Sequence, residues 1–402
     1  MPAERLLIVG LSGRALAQSA RAAGLEPIVL DAFGDLDMRA AAGAWRRIPL
    51  RADWSFRRHP LLRAAVELAP PPIPLLVGSG FERRPELLAA LAAGRELLGA
   101  TPAAIATIKD PFGFAAACAI AGVPHPAIRA DLPKDRCGWL VKRRGGAGGG
   151  HVRSARGWRR LGPGRYLQCE VPGRAVSILL LGDGRSALPL LATDQGHGRA
   201  PSGRRRFETV LAPSTLPERL LTRLSEAAIA VARTLGEKQG AVIRGLTSAD
   251  FLVAEDGSFH LLEINARPGA SLEVAEAVLG TSLIGLHVEA CRGRLPVLGE
   301  SRGHAATTIL YAPSDLRMPL LDDWPVWAGD RTQPGEPVRA GAPLATVLAT
   351  AADAEAVRAL AARRKAELLE RLGAAARPIG RTRVKVPPHA VLRERMDDHA
   401  LD

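Results

Sequence analysis

The sequence predicts a mixed α/β protein, and three stretches carry the prediction. "RLLIVGLSGRALAQSARAAGLEPIVLDAFGD" reads as strand, glycine turn, helix, strand, the opening of a parallel sheet. "PERLLTRLSEAAIAVARTLG" has the period of an amphipathic helix closing at Gly236. "SADFLVAEDGSFHLLEIN" sets two short apolar runs on either side of Asp256-Gly257, a two-residue hairpin signal. At 402 residues the chain is long enough for two or three domains and a sizeable core.

The first apolar run ends at Gly10, and the second, around Ile28 to Leu30, ends in Asp31. Their glycine turn is not a full dinucleotide fingerprint. "IPLLVGSG" is a further strand, and "RPELLAALAAGRELLG" the helix after it, which gives a first domain over 1–100. A second unit covers 101–300. "KDPFGFAAACAIAGVPHP" is a helix stopped by Gly122 and Pro124. "GWLVKRRGGAGGGHV" is a strand, a glycine-rich loop and a return, and "RYLQCEVPGRAVSILLLGDG" two strands around Pro172-Gly173. "LIGLHVEACRG" is a further helix. Beyond residue 300, "QPGEPVRAGAPLATVLA" has Pro-Gly turns between short apolar runs, so 301–375 reads as a small β unit plus the helix "DAEAVRALAARRKAELLERLG". A polar tail covers 376–402.

Hydrophobic content of 47% and charged content of 24% are ordinary for a soluble globular protein. No apolar run is long enough to span a bilayer, and the start does not resemble a signal peptide. Four scattered cysteines without C-x-x-C spacing imply free thiols in a reducing cytoplasm and no structural zinc. The net charge of +13 suggests nucleic acid. Against this, aromatics are only 4% and the basic residues are spread out, "SGRRRFE" apart. An anionic small ligand or plain surface charge is the better reading. Six of the 54 basic residues are lysine. Where lysine survives such arginine-rich usage, a compact point charge is wanted.

A two-residue turn at Asp256-Gly257 puts Asp250 directly opposite Glu263, with Asn265 on the same face. Leu252, Ala254, Phe259 and Leu261 would make that face apolar and so sharpen the repulsion between the carboxylates. A divalent cation on the oxygens of Asp250, Glu263 and Asn265 resolves it, and magnesium suits such ligands. A protonated pair, or a salt bridge to Arg267 or Arg244, resolves it too. Upstream, Lys142 stands at a strand end before Gly145, Gly146, Gly148, Gly149 and Gly150. A chain without side chains can bring its N–H groups close to phosphates; a flexible surface loop has the same composition. No G-K-[ST] follows, so this is not a Walker A motif. His151 and His197 could serve as bases, but an ordinary loop histidine is the better reading of each.

In this order, Lys109, Lys142 with its glycine loop, "LQCEVPG", "SADF" and "LLEINARPG" resemble the ATP-grasp superfamily over roughly residues 1 to 300. The resemblance implies an ATP-grasp fold: a Rossmann-like preceding domain, a two-part core with a small lid over about 125–170 and a large part over 171–300, then the small C-terminal β unit. It implies ATP with Mg2+, or Mn2+ in its place, as cofactors. Lys109 and Lys142 would hold phosphates. The hinge Gln168, Cys169, Glu170 and Val171 would contact adenine through its backbone. Asp250, Glu263 and Asn265 would bind the metal. Arg267 would stand near the transferred phosphate. Two departures concern the ribose and hinge contacts. Ala175 stands where an acidic residue often holds ribose, and Cys169 where many members have Glu; Glu170 is the substitute. "VGSGFERRPELL" and "IKDPFGF" are also similar to ATP-grasp proteins found with tetrahydromethanopterin and methanofuran-type cofactor genes of methylotrophs. The implied activity joins a carboxylate to an amine through an acyl-phosphate, with small-molecule substrates, no membrane partner and a homodimer allowed. A small-molecule kinase and a non-catalytic nucleotide- or nucleic-acid-binding module are the competing readings.

Overall fold

The computed structural model describes residues 3–146, 148–199, 205–375 and 377–378. Most of the predicted polar tail, and residues 200–204 in the basic run, lie outside them. Five parallel strands open the chain: Arg5–Gly10, Glu26–Asp31, Ala44–Arg47, Leu75–Val77 and Leu97–Leu98. They lie in the order third, second, first, fourth, fifth. Leu6, Leu7, Ile8 and Val9 are all 2% exposed or less, the continuous burial expected when helices cover both faces of a parallel sheet. The strand order reverses between the first and fourth strands, so a crevice opens at their carboxyl ends. There Gly10 and Gly78 meet: a Cβ on Gly10 would lie 3.4 Å from Gly78 Cα.

A four-stranded antiparallel sheet follows: Ile128–Arg129, Trp139–Arg143, Arg153–Ser154 and Arg165–Cys169. Its small core is Val141, Ala155 and Leu167, with Trp139 and Trp158 against it. It forms a lid over a much larger sheet of eight strands. That sheet runs, in spatial order, Phe259–Asn265, Arg244–Val253, Arg174–Asp183, Ala187–Arg199, Arg205–Ala212, His304–Tyr311, Pro343–Ala351 and Ala328–Gly329. The strands after residue 300 are therefore not a sheet of their own. Ala305 to Thr308 pair with Ala212 to Thr209 and extend the large sheet. Only Leu316–Arg317, Pro337–Val338 and Arg377–Pro378 make a separate small sheet.

The amphipathic helix runs Glu218–Gln239, one turn beyond Gly236. Its stop is Gly240, at φ +67°, whose N–H bonds back to Gly236 O. Leu224, Ala228, Val231 and Leu235 are buried from this helix and share one core with Ala249, Phe251, Leu261 and Ile264 of the sheet. Among the described residues no single helix is long and apolar enough to cross a membrane.

Candidate functional site

Between the lid and the large sheet lies a cleft of about 470 Å³. The residues predicted from sequence converge on it. Lys109, Lys142, Gly145, Gly146, Gly149, Gln168, Cys169, Glu170, Val171, Asp250 and Glu263 all line it. Asn265 and Arg267 line a small adjoining hollow, and Lys109 borders both spaces. Gly148 and Gly150 are not in the lining, and a Cβ on either would meet nothing within 4 Å.

The floor of the cleft is the hairpin of strands Arg244–Val253 and Phe259–Asn265. Asp250 does pair with Glu263, as expected, but by another route, and Ser248 pairs with Asn265. The turn has three residues, not two: Ala254 N donates to Ser258 O at 2.8 Å, and Gly257 takes φ +77°. That alone would shift the register by one. A bulge between Asp250 and Phe251 shifts it back. The bulge also re-aims the side chains. Leu261 pairs with Phe251 and both sit in the core, so Leu261 lies on the face opposite Glu263. Phe259, paired with core residue Val253, packs against the same core. The expected apolar face with Phe259 and Leu261 beside the carboxylates is thus corrected: those two face the helix, and the carboxylates face the cleft.

The carboxylate conflict is met by neighbours. Asp250 Oδ1 accepts from Ser177 Oγ at 2.6 Å and from Gln195 Nε2 at 3.4 Å, and Asp250 Oδ2 from Asn265 Nδ2 at 3.0 Å. That last bond turns the amide oxygen of Asn265 outward, where Lys109 Nζ donates to it at 2.6 Å and to Glu263 Oε2 at 3.1 Å. Burial, and then the nearby Glu263, raises the Asp250 carboxyl above its usual range. Burial would raise Glu263 as well, but Lys109 and Lys142 outweigh it and hold Glu263 down. Neither Arg267 nor Arg244 bonds to the pair. Arg267 Nε donates instead to Glu82 Oε1 at 2.5 Å.

Lys109 owes its place to a corner between two helices. It ends helix Pro102–Ile108, and the next residue, Asp110, caps helix Pro111–Ile120 by accepting from Gly113 N at 2.8 Å. Lys142 enters from the lid strand Trp139–Arg143 and donates to Gln168 Oε1 at 2.9 Å. Burial, with Lys109 nearby, pushes Lys142 below the ordinary lysine range. At the hinge, Cys169 N donates to Ala127 O at 2.8 Å and Glu170 N to Gly138 O at 2.7 Å. Those two N–H groups are therefore used within the protein. Glu82, Ser177, Gln195 and His125 belong to the site and were not picked out from sequence. Glu82 lay in "VGSGFERRPELL", read for its resemblance, whereas His125 and Ser177 lay in stretches read only as secondary structure and Gln195 in neither.

The donor set can be tested against a hard cation. Among the described residues no three or more His, Cys, Asp or Glu gather as a metal cluster. The set is two carboxylates and an amide oxygen, and a lysine ammonium bridges Glu263 and Asn265. A compact cation is thus accommodated between the Glu263 and Asn265 oxygens, and oxygen-only donors suit magnesium.

Residues 113–271 match the ATP-grasp domain. The chain is 31% identical over 144 residues to D-alanine–D-alanine ligase of Nitratidesulfovibrio vulgaris (strain DP4), a stretch that is 33% of this chain and 42% of that ligase. A 107-residue stretch is 31% identical to D-alanine–D-alanine ligase of Desulfovibrio desulfuricans, 26% of this chain and 32% of that one. The chain thus spans less than half the length of these curated relatives. Over nearly its whole length it is similar in fold to biotin carboxylase of Campylobacter jejuni in a β-γ-ATP complex, with TM-score 0.69 and 17% identity over 93% of this chain and 91% of that one. The biotin carboxylase domain dimer of Hydrogenobacter thermophilus 2-oxoglutarate carboxylase, in complex with MgADP, ADP and bicarbonate, gives TM-score 0.69 and 14% identity over 92% and 90%. The fold is the ATP-grasp fold, with a parallel sheet at the N-terminus and antiparallel sheets after it.

Proposed function

We propose that this chain is an ATP-dependent ligase that joins a carboxylate to an amine through an acyl-phosphate. One observation carries the reading: Lys109 and Lys142 converge with Asp250 and Glu263 in one cleft, under a lid with a glycine loop, and Lys109 joins Asn265 of the adjoining hollow to Glu263. The D-alanine–D-alanine ligase relatives support it, since their name describes the joining of two amino acids. The residues from about 101 to 300 would form the nucleotide-handling part, with 125–170 as its lid. Asp250, Glu263 and Asn265 would hold magnesium, which when bound neutralises charge on the phosphates. Lys142 places a point charge on a phosphate, and the glycine loop covers it with backbone N–H groups. Arg267 presents a planar fork able to hold both a phosphoryl group and a carboxylate. No nucleophilic side chain is required. The γ-phosphoryl group passes to the substrate carboxylate, ADP leaves, and the amine then displaces phosphate. Catalysis on this account is positioning and charge stabilisation. The similarity of "VGSGFERRPELL" and "IKDPFGF" to proteins of one-carbon carrier genes makes cofactor biosynthesis the setting we favour.

The test is incubation with ATP, magnesium and a pool of carboxylates and amines. ADP, phosphate and an amide-bonded product are expected, and hydroxylamine should trap the activated acid. Glu263→Gln should cut turnover by about a hundredfold or more while the protein stays folded. A stable phosphorylated small molecule without phosphate release would replace the ligase with a kinase.

A further inference from the structure

Lys142 reaches the cleft on a long flexible stem, and among the described residues one hydrogen-bond partner fixes its ammonium. That partner is Gln168, 3% exposed, on the adjacent lid strand. An amide has two unlike ends, so the bond at 2.9 Å holds only while the oxygen, not the NH₂ group, faces the lysine. The other end of the amide, Gln168 Nε2, lies 3.4 Å from His125 Nε2. An amide nitrogen can only donate, so this ring nitrogen must be bare. The ring proton then sits on Nδ1. Phe114 packs edge-on against the ring, with centroids 5.7 Å apart. Burial, together with Lys142, holds His125 down to about 4, so the ring stays neutral at ordinary pH.

We infer that His125 and Gln168 are positioning residues for Lys142. A one-way chain of hydrogen bonds, from the lysine through the amide to the bare ring nitrogen, sets which end of the amide faces the lysine. It thereby sets the point at which the lysine charge meets a bound phosphate. The inference rests on the nucleotide reading of the cleft and adds two residues to it. The chain leaves a signature that simple packing would not. A carboxylate at position 168 has two equivalent oxygens and needs no orienting partner. In the Gln168→Glu background, loss of the ring nitrogen should therefore cost little.

The experiment is calorimetric binding of the magnesium complex of the non-hydrolysable β,γ-imido analogue of ATP to the full chain. Thermal melting of each variant checks the fold. His125→Phe keeps an aromatic ring and removes the acceptor; it should weaken binding about fivefold, the worth of one net hydrogen bond. His125→Gln, whose Oε1 can accept at similar reach, should restore affinity to within about twofold. His125→Phe combined with Gln168→Glu should bind as well as Gln168→Glu alone. If His125→Phe does not fold, His125→Asn carries the same test, because its side chain is too short to reach Gln168. Equal losses on removing the ring in both backgrounds would overturn the chain and leave His125 as packing. Lost binding in Lys142→Ala with unchanged binding in His125→Phe would overturn the chain alone. Unchanged binding in Lys142→Ala would overturn the nucleotide reading together with it.

Discussion

Arg267 has five donors, and the direction of its fork is set from another part of the chain. Its Nε donates to Glu82, on the loop after the strand Leu75–Val77, and its Nη1 to Pro268 O at 3.2 Å. Glu82 in turn accepts from Gly80 N at 2.8 Å. Burial would raise Glu82, but Arg267 and Lys109 keep it below the usual carboxylate range. The acid is thus a charged anchor that leaves the remaining guanidinium face toward the hollow with Lys109 and Asn265. Glu82→Gln keeps the size and an acceptor but removes the charge. A hydrogen bond to a charged group contributes about 1.5–3 kcal/mol, so turnover should fall roughly tenfold to a hundredfold. Nucleotide affinity should change by less than about threefold, because the phosphate lysines are untouched. Steady-state kinetics paired with nucleotide titration separates the two quantities. If affinity falls in step with turnover, Glu82 supports the cleft as a whole and does not aim Arg267.

At the scale of elements, the hairpin shows how much of the site was legible. Alternation and turn chemistry named both strands and paired Asp250 with Glu263 correctly, yet a three-residue turn and a bulge cancelled each other on the way. The pattern of apolar residues could not reveal the bulge, because Leu261, Leu262 and Ile264 read equally well with or without it. The partners of Asp250 from the neighbouring strands, Ser177 and Gln195, were beyond reach for a simpler reason: sequence does not say which strands lie beside a hairpin. The glycine loop was read as a unit, but its members differ. A Cβ on Gly145 would lie 2.5 Å from Glu82 O and 2.8 Å from Arg83 Cγ, and Gly145 takes φ +62°. Here the lid docks on the backbone of the first sheet's loop. Gly148 has similar φ, +69°, and open space around it. Gly148→Ala should therefore cost only the left-handed backbone, about 1 kcal/mol. Gly145→Ala adds a clash with backbone of about 1–3 kcal/mol. Nucleotide affinity, measured by titration, should drop about tenfold more in Gly145→Ala than in Gly148→Ala. Equal effects would mean that the lid does not rest on Glu82.

Across the whole molecule, Arg14 ties together three parts that are far apart in sequence. It is 4% exposed and lies at the start of the first helix. Its Nη2 donates to Glu273 Oε2 at 2.7 Å and its Nε to Asp330 Oδ1 at 2.8 Å. Asp37 caps the backbone from the other side, accepting from Asp330 N and Arg331 N at 3.0 Å each. Asp31 and Asp35 complete a group of carboxyls around one guanidinium, with Asp35 5% exposed. None of this was legible beforehand, since Asp330 lies some 300 positions from Arg14 and no local period links them. The excess of acid has a consequence for stability. Burial, then Asp330, Asp31 and Asp37, raises Asp35 from its ordinary 3.8 to about 8. A carboxyl raised in the fold binds its proton more tightly there than in the unfolded chain. Its contribution to stability is complete below pH about 4 and is lost as pH rises through about 8. Asp35→Asn keeps the shape and cannot ionise. Its advantage over the wild type should grow between pH 5 and pH 8, by on the order of 3 kcal/mol. Urea unfolding of both proteins at pH 5, 6.5 and 8 measures that difference directly. A constant offset at all three values would show that Asp35 is ionised throughout and that Arg14 balances the group unaided.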